Sequence, residues 1–161
     1  MDKLTPSRRS ENMRKIRGKD TAPELAVRKL CREIGFSGYR IHRKDLPGKP
    51  DLAWIGRKLV VFVHGCFWHG HSCAEGVRKP KSNCDYWIPK INRNKQRDAE
   101  NFAGLQAAGW NILIVWECEI KEKARLSEKL QQFLVAKTPN KSFQRLLGQD
   151  ERACLSKSLM P

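Results

Sequence analysis

Leu59-Val60-Val61-Phe62-Val63-His64-Gly65-Cys66-Phe67-Trp68-His69-Gly70-His71-Ser72-Cys73 is the stretch from which the rest of the chain is read. Five apolar residues, four of them β-branched or aromatic, have the length and composition of a buried strand. The strand runs directly into a loop built from other material. Residues 62–73 hold three of the four histidines and two of the six cysteines, with Phe67 and Trp68 between them. A buried strand therefore ends in a loop able to bind zinc, move protons and present aromatic rings.

Just upstream, Leu46-Pro47-Gly48-Lys49-Pro50-Asp51-Leu52-Ala53-Trp54-Ile55 carries a Pro-Gly turn signal and then a second apolar run. Gly56-Arg57 is the tight turn between the two runs. This hairpin is expected at the centre of the sheet, with Asp51 at the entrance of one strand and His64 at the end of the other. Thr21-Ala22-Pro23-Glu24 has capping-box spacing, and Val27, Leu30 and Ile34 recur at helical period up to Gly35. Phe36 to Ile41 reads as a short strand. Downstream, Ile88 to Ala108 reads as a long helix, Trp110 to Trp116 as a buried strand ending in Glu117-Cys118, and Glu122 to Ala136 as an amphipathic helix. The expectation is an α/β domain over residues 20–136, a mixed central sheet flanked by helices on both faces. Residues 1–19 form a basic arm, and residues 137–161 a poorly ordered tail.

The 161 residues carry a net charge of +15, which favours polyanionic partners, nucleic acid first and an anionic membrane surface second. No apolar run reaches the length of a membrane span, and the N-terminus has no signal-peptide core. A cytoplasmic protein is expected, in which the cysteines are metal ligands or buried thiols rather than disulfides. A second basic block, residues 78–97, contains Tyr86 and Trp87, which suit either base stacking or the core. Met13 sits in the basic arm, where it either wedges into a DNA groove or anchors the arm.

Cys66, His71 and Cys73 fall within eight residues, so one loop can supply three zinc ligands. Cys118 is the first candidate for the fourth, because it too follows a central strand. Cys84 is the runner-up, ahead of Cys31 and Cys154. Such a zinc is structural. Asp51 can hold a hard cation such as Mg²⁺ by oxygen ligation. Phosphodiester hydrolysis needs that cation and a base. His69 is available as the base if zinc takes His71, Asp98 can fix its tautomer, and His64 can donate to the phosphate or the leaving oxygen. Glu24, read from the helix pattern, is a cap residue. Phe67 and Trp68 interrupt a polar loop rather than lying on a periodic element, and together with Trp87 they are suited to prying into a base stack.

The run from His64 to Cys73, with Pro50-Asp51 before it and Val115-Trp116-Glu117-Cys118 after it, resembles the bacterial very-short-patch repair (Vsr) DNA mismatch endonucleases. Asn12-Met13-Arg14, Thr21 to Glu24, Leu46 to Asp51 and Arg97-Asp98 fit the same pattern, and the likeness runs from about residue 7 to residue 136. The resemblance implies a restriction-endonuclease-like fold of the PD-(D/E)XK type that nicks one strand 5′ to the T of a T:G mismatch arising from 5-methylcytosine deamination. It implies Asp51 and the backbone carbonyl of Val63 on Mg²⁺, Glu24 supporting that metal through water, His69 as base with Asp98, and His64 at the phosphate. It places zinc on Cys66, His71, Cys73 and Cys118. Phe67, Trp68 and Trp87 would intercalate from the major groove, with the Met13 arm across the minor groove. A bacterial, nucleoid-associated monomer recruited by a MutL-type protein completes that picture. Related nucleases carry an acidic residue and then a lysine where Val63 and His64 stand here. Two other readings account for the same charge and cysteines: a zinc-stabilised DNA-binding module without catalysis, and a nuclease of this fold that cuts both strands.

Overall fold

The computed structural model describes residue 8, residues 19–78 and residues 84–136. Met13 and the rest of the arm, Cys154 and the tail 137–161 lie outside the described residues, and of Cys84 only the backbone is described.

Helix α1 spans Ala22–Glu33. Thr21 caps it: its hydroxyl oxygen accepts from the Glu24 N–H at 3.5 Å and donates to Glu24 Oε1 at 2.9 Å, with proline at the start of the first turn. Gly35, at φ +84°, ends the helical path in a conformation that a side chain would strain. Strand β1 (Leu52–Trp54) and strand β2 (Leu59–His64) form the antiparallel hairpin, joined by a 3₁₀ turn over Ile55–Arg57 and by Lys58 at φ +50°. Helix α2 spans Cys84–Ala107, strand β3 Asn111–Trp116 and helix α3 Lys123–Ala136. The sheet order is β1-β2-β3, with β2 at the centre as the hairpin pattern predicts.

Side chains of β2 alternate between two cores, as strand geometry requires. Leu59 and Val61 join Val27, Leu30, Leu126, Leu130 and Leu134, so α1 and α3 cover one face. Val60 and Phe62 join Leu105 and Phe102, so α2 covers the other. Burial on both faces explains why the strand reads as an unbroken apolar run. Val63 continues the first face. His64 therefore falls on the α2 side, where its ring lies against Phe62 and Phe102.

β2 and β3 are parallel, with His64 paired to Trp116. A parallel pair needs a crossover, and residues 65–110 supply it. Both strands consequently deliver their following residues to the same edge of the sheet. That edge carries the loop after His64 and the segment after Trp116.

Two expectations are corrected. Phe36 to Ile41 is not a strand: Arg40 alone pairs, exchanging two backbone bonds of 2.8 Å with Ala53. Tyr39 instead turns its ring edge-on to Trp54, and His42 at φ +50° breaks the extended path. Helix α2 begins one turn before Ile88 and so contains Pro89. A proline there forfeits a single backbone bond. The rings of Tyr86 and Trp87, 5.0 Å apart and both approached by the Lys90 ammonium, pack that added turn together.

Candidate functional site

The hairpin register brings Asp51 beside the end of β2, where its Oδ2 accepts the Val63 N–H at 2.7 Å. That bond points the carboxylate into a cleft of about 550 Å³ lined by Glu24, His42, Asp51, His64, His69 and Asp98 among others. Burial pushes the Asp51 carboxyl up to about 6, against the pull of the Val63 N–H, and the charge of Glu24 adds to the rise. No cation among the described residues pairs with Asp51 directly. A largely buried carboxylate of this kind favours a divalent cation as its counter-charge.

Across the cleft, His69 Nδ1 lies 2.5 Å from Asp98 Oδ2. The carboxylate requires Nδ1 to carry hydrogen, which leaves Nε2 as the basic nitrogen. The His64 ring stacks on the His69 ring at 3.7 Å and 15°. Burial, reinforced by the nearby charge of His69, lowers the His64 imidazole to about 4. It is therefore neutral at pH 7 and can donate a hydrogen bond without being a ready source of a proton.

Glu24 is both a cap and a lining residue. It is buried at 6% exposure, accepts the Asp20 N–H at 3.0 Å and faces the same cleft as Asp51. The helix pattern accounts for the first role and the resemblance for the second.

The second cluster forms where the two parallel strands end. One ligand atom each from Cys66, His71, Cys73 and Cys118 lies within 4.8 Å of all the others. Cys118 Sγ is 3.5 Å from His71 Nδ1. Sulfur and nitrogen ligands on a tetrahedral zinc with bonds of about 2.0–2.3 Å stand about 3.5–3.8 Å apart, so the donor set and the Cys118–His71 separation suit that ion. The Cys73 thiol is lowered to about 6, by the Gly76 N–H first and then by His71. Burial raises Cys66 to about 12 and also raises Cys118. Cys31 is excluded from this cluster, lying fully buried on the core-facing side of α1. His71 is braced by stacking on Trp116 at 4.2 Å.

Phe67, Trp68 and Trp87 form a partly exposed triangle with centroids 5.3–5.7 Å apart, outside both cores. The Asn94 amide donates to the Trp68 carbonyl at 3.0 Å and ties the loop to α2. The Lys90 ammonium sits 5.7, 5.2 and 5.3 Å from the centroids of Trp68, Tyr86 and Trp87, so this aromatic surface is also cationic.

Three cleft neighbours escape a reading of the sequence: Asp20, Arg28 and His42. The hydrogen bonds and ion pairs that join them to one another and to Glu24 span 2.5–3.3 Å. Arg28 reads as the far half of an ordinary i,i+4 pair with Glu24, and His42 is the one histidine away from the central loop. Only the spacing from Glu24 to Arg28 offers any signal.

Comparison with known proteins finds relatives over most of the chain. The family model of the DNA mismatch endonuclease Vsr matches residues 1–75. The type II nicking enzyme V.XorIIP of Xanthomonas oryzae pv. oryzae is 50% identical over 133 residues, covering 83% of this chain and 96% of the relative. The type II nicking enzyme V.NmeAIP of Neisseria meningitidis is 47% identical, covering 83% and 94%. The DNA mismatch endonuclease Vsr of Escherichia coli is 38% identical, covering 80% and 79%.

Proposed function

The chain belongs to the Vsr family of DNA mismatch endonucleases and is a strand-nicking DNA hydrolase, and from that premise we propose that it cuts one strand 5′ to the T of a T:G mismatch by Mg²⁺-dependent hydrolysis. The observation that carries this reading is the His69–Asp98 pair facing, across one cleft, a largely buried carboxylate with no cationic side chain paired to it among the described residues. The hairpin-borne Asp51 is also what a restriction-endonuclease-like fold asks of its first acidic residue.

Asp51 and the Val63 carbonyl would hold Mg²⁺, with Glu24 reaching it through water. Bound there, the ion would offset charge on the phosphate. The chain's own groups do the rest. His69 Nε2 takes a proton from the attacking water, and Asp98 steadies the imidazolium that results. The water oxygen bonds to phosphorus as the bond to the leaving oxygen breaks, and that oxygen collects a proton from solvent. His64, neutral, donates an N–H to the phosphate. Cys66, His71, Cys73 and Cys118 would hold zinc and so fix the loop that presents Phe67 and Trp68. These rings and Trp87 would enter the base stack beside the mismatch, at a cost of a few kcal/mol that is least where pairing is already imperfect. Met13 would approach the minor groove. A monomer suffices, since one strand is cut, and a MutL-type protein is the recruiting partner in this reading. Its place of work is the bacterial cytoplasm, on nucleoid DNA.

The test uses end-labelled duplexes that differ only by one T:G mismatch, with flanking bases varied. A single Mg²⁺-dependent nick 5′ to the T, absent from the paired duplex, is the expected result. His69→Ala is expected to slow it by about 10²–10⁴-fold, the usual worth of a general base. Equal cutting of the paired duplex on both strands would overturn the target, and binding without cutting in every context would overturn the chemistry.

A further inference from the structure

Arg28 has no part in the reaction as described, yet its side chain is only 8% exposed. Its fork is divided between two carboxylates. Nη1 donates to Asp20 Oδ1 at 2.5 Å and Nη2 to Glu24 Oε2 at 3.2 Å. The buried Nε has no hydrogen-bond partner among the described residues. His42 closes the cluster, its Nε2 standing 3.3 Å from both Arg28 Nη2 and Asp20 Oδ1. A buried guanidinium with an orphaned nitrogen is a poor way to stabilise a helix, because desolvation offsets the attraction.

The backbone is unusual at the same place. Asp20 at φ +53° and His42 at φ +50° are two of the four non-glycine residues in the left-handed region among the described residues. Such strain persists where surroundings impose it and is common at working sites. At Asp20 it accompanies a backbone N–H bonded to Glu24 Oε2 at 3.0 Å. Glu24 Oε2 is thus held from two sides, whereas Oε1, among the described residues, meets only the Thr21 hydroxyl at 2.9 Å. Glu24, His42 and Asp51 line one cleft.

Resting on the reading of Asp51 and Glu24 as the Mg²⁺ side of that cleft, we infer that Arg28, braced by Asp20 and His42, is a positioning residue that holds the Glu24 carboxylate beside Asp51 with Oε1 turned to the hydrated cation. Without the fork, repulsion between the two carboxylates swings Glu24 away. A lysine keeps the charge and loses the fork, since one ammonium cannot match the two-pronged geometry.

The test is a double-mutant cycle on Mg²⁺ binding, read by calorimetry on the complex with a T:G duplex in a His69→Ala background that slows nicking, the strand being checked for cleavage after each titration. Arg28→Lys is expected to weaken Mg²⁺ binding about tenfold, with metal-free DNA affinity and melting midpoint unchanged. Glu24→Gln is expected to weaken it at least as much, and the double variant no more than Glu24→Gln alone, because Arg28 acts only through Glu24. Additive losses would overturn the inference, as would unchanged Mg²⁺ binding in Arg28→Lys or a loss that follows a lowered melting midpoint. If the parent complex takes up no Mg²⁺ at all, the metal reading itself falls. If Glu24→Gln weakens binding and Arg28→Lys does not, only the role of Arg28 falls.

Discussion

Asp51→Asn is expected to reduce nicking by about 10⁴-fold or more while making the Mg²⁺-free protein harder to melt at pH 8. On the proposed reading the loss follows from removing the anionic ligand, whose metal would supply several kcal/mol of stabilisation to the phosphate in the transition state. The gain in stability has a separate cause. Burial raises the Asp51 carboxyl from its ordinary 3.8 to about 6. A raised carboxyl favours folding while it is protonated, and that contribution is lost as pH rises from about 4 through 6. Above pH 6 the native protein therefore carries the full cost of a buried anion, on the order of 2–3 kcal/mol. Asparagine removes that cost and still accepts the Val63 N–H that Asp51 Oδ2 accepts at 2.7 Å. Melting curves at pH 8 and at pH 4.5, without magnesium, should show the variant ahead at the higher pH, with its lead cut to about a third at the lower. Added Mg²⁺ should raise the native midpoint alone, by mass action on the folded state. A variant that melts lower at pH 8, or that still nicks, would remove Asp51 from the metal site.

Cys118→Ala is expected to destabilise the protein by about 3 kcal/mol or more, about 10 °C in melting midpoint, and to abolish preference for the mismatch. The loop after β2 has almost no core of its own: from residue 65 to residue 78, Cys66 is the one buried residue. Ordering a chain costs about 1–2 kcal/mol per residue, and a loop that buries so little must recover this from another source. Four soft donors within 4.8 Å of one another are that source when they share a metal. The Cys66 thiol, held at about 12 by burial, releases its proton to solvent when a strong cation binds the sulfur. Loosening the loop also releases Phe67 and Trp68, whose rings are placed by it. The measurement pairs metal analysis with melting: the native chain should carry one zinc, and Cys118→Ala should carry much less. Cys31→Ala should keep its zinc, because Cys31 lies in the core on the buried side of α1. Protein purified without zinc that melts where the native chain does would rule out the structural metal.

The parts of this molecule that depend on neighbours along the chain are legible in the order of residues alone. The apolar run from Leu59 to Val63 announces a doubly buried strand, the turn at Gly56-Arg57 announces its hairpin, and Thr21 to Glu24 announces the start of a helix. Asp51, His69, Asp98 and the Cys66–His71–Cys73 trio stand out as candidates too, since their residue types have few other reasons to occur in these settings. The strand expected over Phe36 to Ile41 fails because one backbone bridge and a Tyr39–Trp54 ring contact outweigh local propensity. Cys118 is preferred over Cys31 in the sequence because it directly follows a buried strand, and the topology supplies the reason the two strand exits meet. A parallel β2–β3 pair with His64 opposite Trp116 brings both strand exits to one edge, and no local pattern encodes that.

What the sequence by itself determined is therefore the kinds of groups available and the elements that carry them, because periodicity, caps and turns act over a few residues. What only the tertiary structure decided is which groups meet. The His64–His69 stack and the gathering of Arg28, Asp20 and His42 around Glu24 each depend on how the chain is folded back on itself. Their pairing follows from strand register and from the left-handed turns at Asp20 and His42, and register is set by packing across the sheet rather than by any residue alone.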